Sequence, residues 1–78
     1  MKTLSLYSRP GCHLCELLAA EVAPLLGSGF EIHEVDISEH PALTRKYGLR
    51  IPVLADGETE ISGYPLDVSR LQEYLSQR

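Results

Sequence analysis

The stretch Tyr7-Ser8-Arg9-Pro10-Gly11-Cys12-His13-Leu14-Cys15 sets the architecture expected of this chain. Behind it, Leu4 and Leu6 alternate with Thr3, Ser5 and Tyr7, the period-two pattern of a short strand over residues 3–7. Pro10 presets its own φ and Gly11 tolerates an unusual one, so Ser8-Arg9-Pro10-Gly11 reads as a turn. From Cys12 onward Leu14, Leu17, Leu18, Val22, Leu25 and Leu26 recur at helical spacing, leaving Glu16 and Glu21 for solvent. Pro24 lacks an amide hydrogen, so the helix is expected to kink or fray there and to end at Gly27-Ser28-Gly29. The two cysteines therefore fall where a strand turns into a helix.

With 78 residues, the chain has room for one small domain over 1–78. Hydrophobic residues are 44% and charged residues 23%, the balance of a folded globule and not of a disordered tail. The formal net charge is −4, which argues against a nucleic-acid binder. No apolar run approaches the roughly 20 residues that a membrane helix needs. Met1 to Leu6 has no apolar core of the kind a signal peptide requires, so a cytoplasmic location is expected.

The chain has 2 cysteines, too few for a disulfide-stapled secreted scaffold. Chance puts two cysteines three positions apart in roughly one arrangement in forty, so the spacing itself is informative. A Cys-x-x-Cys pair serves either as a redox couple or as half of a metal site. A metal site needs two further ligands, and His33 and His40 do not form a pair at zinc spacing; no metal is expected. For redox chemistry the position is favourable. Cys12 sits at or near the helix N-cap, where orphan N–H groups and the positive end of the helix dipole favour a thiolate. An ordinary thiol, with pKa about 8.5, is only a few per cent ionised at neutral pH. Cys15, one turn further and deeper, can close a disulfide. Cys12 is thus the expected nucleophile and Cys15 the residue that resolves the mixed disulfide. An imidazolium on His13, beside Cys12, would favour the thiolate further.

The rest of the chain continues the alternation of elements. Residues 30–37 are apolar and β-branched, a second strand with its charges near the ends or on one face. Pro41 suits the first position of a second helix carrying Leu43 and Tyr47, with Gly48 as its stop. Residues 51–55 predict a third strand, Asp56-Gly57 a hairpin turn, and 59–61 a fourth strand. Asp67 can cap a last helix with Val68, Leu71 and Leu75 on its inner face. The order β-α-β-α-β-β-α describes an α/β fold, a mixed four-stranded sheet with helices on both faces.

A strand, then Tyr7-Ser8-Arg9-Pro10-Gly11-Cys12-His13-Leu14-Cys15, then a helix resembles the active-site segment of the glutaredoxins. Arg50-Ile51-Pro52-Val53 is similar to their second signature, and Ser62-Gly63-Tyr64-Pro65-Leu66-Asp67 to their glycine-containing turn before the last helix. The resemblance spans nearly the whole chain. It implies a thioredoxin-like fold with Pro52 cis and opposite the cysteines; a proline there also bars an ordinary strand neighbour, though a trans proline at a strand start is the plainer alternative. It implies Arg9 as a basic residue attracting the thiolate or a glutathione carboxylate, Ile51 as a backbone partner of glutathione, and Gly63 as part of the same substrate site. The chain departs from the usual Cys-Pro-Tyr-Cys, and the family's Gly-Gly is reduced to Gly63. The turn around Gly63 also resembles that of the small redoxins that serve ribonucleotide reductase and are recycled by thioredoxin reductase.

Arg45, Lys46 and Arg50 lie close in sequence, and with Arg9 they would make a basic rim beside the cysteines that draws an anion such as glutathione. A solvated charged helix face is the alternative. The expected function is a dithiol–disulfide oxidoreductase of glutaredoxin type, acting on protein or glutathione mixed disulfides. It would hold no tightly bound cofactor, take glutathione as co-substrate or a flavoprotein reductase as electron source, and be a monomer. Two other roles compete with it: a thioredoxin-fold binding module whose cysteines sense redox state, and a chain that shares an iron–sulfur cluster through Cys12 and glutathione.

Overall fold

The computed structural model describes residues 2–77. Strand β1 (Lys2–Ser8) leads into helix α1 (His13–Val22), strand β2 (Phe30–Asp36), helix α2 (Pro41–Tyr47), the strands β3 (Val53–Asp56) and β4 (Thr59–Ser62), and helix α3 (Val68–Ser76). The sheet runs β2-β1-β3-β4, with β1 parallel to β2 and antiparallel to β3, and β3 antiparallel to β4. This is the mixed four-stranded α/β architecture expected from the order of elements.

Alternation along β1 divides the core in two. Leu4 and Leu6 point to one face and pack with Leu18 and Val22 of α1, Leu54, Ile61, and Leu71 of α3. Tyr7 points to the other face, where Ile37, Tyr47 and Val53 are buried with Leu43 and Ile51 beside them. There the rings of Tyr7 and Tyr47 stack with centroids 4.5 Å apart. Burying each leucine of the first cluster contributes about 1.5–3 kcal/mol. Helices α1 and α3 thus cover one face and α2 the other.

Several boundaries differ from the sequence expectation, for identifiable reasons. Helix α1 stops at Val22, and Pro24 is carried in a 3-10 turn over Ala23–Leu25, which leaves Leu25 exposed. Leu14 is 47% exposed, although Cys15 beside it in the same turn is buried. Val68 is 43% exposed at the start of α3, so Leu71 is the buried residue of its inner face. Ile37 leaves β2 and opens a 3-10 turn over Ile37–Glu39, held by Asp36 as its cap; the Thr44 hydroxyl donates to the Ile37 carbonyl. Pro52 precedes β3 rather than lying within it. The hairpin loop is Gly57-Glu58, one residue later than expected, with Asp56 paired to Thr59. Gly48 ends α2 in a right-handed conformation; a Cβ there would stand 2.5 Å from the Thr44 carbonyl oxygen, so close approach explains the glycine.

Candidate functional site

The turn that delivers Cys12 is specified residue by residue. Pro10 occupies its second position, Gly11 its third with φ +80, and the Cys12 amide donates to the Arg9 carbonyl at 3.2 Å. Proline followed by a residue of positive φ is the signature of a type II turn. Cys12, in extended conformation, is then the N-cap of α1. The Cys15 amide donates to Cys12 Sγ at 3.2 Å, and the Glu16 amide to the Cys12 carbonyl. A cysteine sulfur here takes the place that a serine or aspartate oxygen usually holds, satisfying an orphan N–H of the first turn.

The two sulfurs are bonded to each other, with the Cα atoms 5.3 Å apart. Burial separates them chemically. Cys15 is 2% exposed, whereas Cys12 is half-buried. His13, the first residue of α1, is exposed.

The disulfide lines a cavity of about 270 Å³ together with Ser8, Arg9, Glu16, Glu34 and Asp36. The parallel register explains this set, because Leu4 pairs with Ile32, Leu6 with Glu34, and Ser8 with Asp36. On the α1 side of β2, Phe30 and Ile32 pack against the core, and the same alternation then brings Glu34 and Asp36 beneath the cysteines. Asp36 accepts from the Ser38 hydroxyl at 2.6 Å and the Ser38 amide at 2.9 Å. Those two donors, hydroxyl first, hold its carboxyl below the ordinary value; the charge of His40 adds to this and desolvation opposes it.

The residues expected from the second signature lead into β3, whose Val53 pairs with Tyr7 of β1. The Ile51-Pro52 peptide is cis, and so is Tyr64-Pro65, which sequence reasoning did not anticipate. Pro52 is buried, Ile51 half-buried and Gly63 exposed; a Cβ on Gly63 would stand 3.5 Å from the Pro52 carbonyl oxygen. Arg50 forms an ion pair with Glu60 and lies over the Tyr47 ring at 5.5 Å. It lines a second cavity, of about 230 Å³, with Gly63 and Arg70. Lys46 also lies over Tyr47, at 5.2 Å. Of the expected basic rim, only Arg9 is found in the lining of the cysteine cavity.

A family model described as Glutaredoxin-like domain (DUF836) matches residues 3–76. The chain belongs to this family of glutaredoxin-like domains. Among solved structures, protein Ne2328 from Nitrosomonas europaea is similar at 37% identity and TM-score 0.82, covering 94% of this chain and 89% of that one. Protein XcR50 from X. campestris is similar at 36% identity and TM-score 0.71, covering 96% and 97%. A mutant thioredoxin from Halobacterium salinarum is similar at 26% identity and TM-score 0.61, covering 96% of this chain and 72% of that one. No curated protein gives a match. A thioredoxin-like fold carrying Cys-x-x-Cys at positions 12 and 15 supports a redox-type function for this glutaredoxin-like domain.

Sequence reasoning missed the carboxylates Glu16, Glu34 and Asp36 of the cleft and the partner Glu60 of Arg50. A signal for two of them was present. Once the two strands are taken as parallel, the charges that end the second strand come to lie at the same edge as the residues that follow the first. Ligand sites of open α/β sheets lie outside these carboxyl ends.

Proposed function

We propose that this glutaredoxin-like domain is a dithiol–disulfide oxidoreductase in which Cys12 is the nucleophile and Cys15 the resolving thiol. The observation that carries the proposal is the asymmetry of the couple: Cys12 caps α1 at the surface, and Cys15 lies buried one turn below. In the dithiol form, the Cys12 thiolate attacks one sulfur of a substrate disulfide. A bond forms between Cys12 and that sulfur, the substrate S–S bond breaks, and the departing thiolate takes up a proton. Cys15 then loses its proton and attacks Cys12 Sγ, which releases the second substrate thiol and closes the Cys12–Cys15 disulfide. Two electrons pass from the protein to the substrate in each cycle. The helix N-terminus favours the thiolate at Cys12 in both directions. Arg9 supplies a cationic group at the cleft, and His13 follows Cys12 at the first helical position. Ile51, Pro52 and Gly63 offer the backbone edge along which a substrate segment docks.

Glutathione is the co-substrate that the family resemblance implies. A flavoprotein reductase is the second reading, favoured by the engagement of Arg50 with Glu60, which takes this cation out of the set expected to hold a glutathione carboxylate. In either case the protein acts as a carrier that another molecule recharges.

Trapping tests the division of labour. The Cys15→Ser variant, mixed with a disulfide substrate, is expected to accumulate a covalent adduct at Cys12 visible by intact mass. Cys12→Ser is expected to form none. Equal adduct formation at both cysteines, or at Cys15 alone, would contradict the proposal.

A further inference from the structure

We propose that the cysteine cleft is selective by charge: it takes disulfides flanked by lysine or arginine in a basic polypeptide segment and disfavours glutathione. This rests on the redox reading above and names the substrate class for that same site.

Two separate observations point the same way. The first is the composition of the cavity around the disulfide, where Glu16, Glu34 and Asp36 face a single cation, Arg9. Two of these carboxylates are placed by the sheet: Glu34 and Asp36 continue the face of β2 that Phe30 and Ile32 begin, so they lie beneath the cysteines as a consequence of strand register. Asp36 is further fixed as an anion by two hydrogen bonds from Ser38. The second is the fate of Arg50, which stands next to Ile51 and Pro52 but is neutralised by Glu60 and lines the other cavity. Arg50 therefore adds no free cation to the cysteine cavity, and the net charge of −4 adds a repulsive background.

Glutathione carries two carboxylates and one ammonium, so it approaches this cleft with a net negative charge, and its disulfide with twice as much. A disulfide beside lysine or arginine side chains approaches with the opposite sign. Charge of one sign within a cleft changes association rates by roughly tenfold or more at low ionic strength. It loses that influence as the screening length falls from about 30 Å at 0.01 M salt to about 3 Å at 1 M.

The test uses the full chain in its dithiol form and three small disulfides: cystamine, which is cationic; hydroxyethyl disulfide, which is neutral; and glutathione disulfide, which is anionic. Each second-order rate is divided by that of dithiothreitol with the same disulfide, which removes the intrinsic reactivity of the leaving thiol. The normalised ratio of cystamine to glutathione disulfide is expected to be about tenfold or more at low salt. It is expected to fall to within about twofold at 1 M. The double variant Glu16→Gln, Glu34→Gln is expected to lower the low-salt ratio at least threefold, and salt screening of the unaltered protein gives the same reading without any substitution. A ratio near one at low salt, or a large ratio that neither salt nor the variant changes, overturns the charge proposal while leaving the redox reading in place. No reaction with any of the three, the neutral disulfide included, overturns the redox reading and this proposal with it.

Discussion

Asp36 shows how much one residue does at the end of a strand. It pairs in register with Ser8, caps the 3-10 turn that follows, and closes the acidic side of the cysteine cleft. Its carboxyl is held below its ordinary pKa, chiefly by the Ser38 hydroxyl and amide. A carboxyl whose folded-state pKa is depressed contributes stability that is complete above the unfolded value of about 3.9 and is lost as pH falls through the folded value. The stability difference between the protein and its Asp36→Asn variant is therefore expected to be largest near neutral pH and to shrink towards pH 2. Urea unfolding followed by circular dichroism across that range measures it; a difference that grows on acidification would contradict the assignment. At this scale, what was legible in the sequence was the chemistry carried by neighbours along the chain. The Pro10-Gly11 turn, the capping position of Cys12 and the depth of Cys15 all follow from adjacent letters. Asp36 and Glu34 were not legible as cleft residues, because their place depends on pairing with a strand more than twenty positions away.

Helix α1 sets the geometry of the couple, and its phase can be read from burial. Cys15, Leu18 and Val22 form the buried face, while Leu14 is exposed. Leu18→Ala is expected to cost about 2–5 kcal/mol, as removal of a fully buried leucine does. Leu14→Ala is expected to change stability by less than about 0.5 kcal/mol. Chemical denaturation of both variants decides this, and equal losses would mean that the helix is rotated from the orientation described. The sequence pattern of α1 treats Leu14, Leu18 and Leu25 as equivalent apolar positions. Hydrophobic spacing reports which residues could share a face, but not which of them become covered, nor that the 3-10 turn holding Pro24 leaves Leu25 exposed. The same limit applies to Val68 in α3 and to Ile37, whose apolar character read as strand but which is buried by a turn against Tyr47. Element existence and order were legible throughout; the ends of elements were set by packing.

Across the whole molecule, the fold joins two opposed demands on the cysteines. The helix N-terminus and Arg9 favour negative charge at Cys12, while the acidic end of β2 lies on the other side of the same cavity. A site built this way suits a sulfur anion whose partner brings positive charge. The mixed sheet and the helices on both faces were foreseeable from the alternation of strand and helix patterns, whereas the distribution of charge around the cleft follows only once β1 and β2 are paired in register. The claim on which everything rests is that Cys12 and Cys15 form a reversible two-electron couple. An equilibrium titration in thiol–disulfide redox buffers, with free thiols counted by alkylation and intact mass, tests it directly. A reversible couple gives a single transition between a species with two free thiols and one with none, at a potential between about −270 and −120 mV, the range over which Cys-x-x-Cys carriers work. Persistence of two free thiols throughout that range, or oxidation only to species linked between chains, would contradict it.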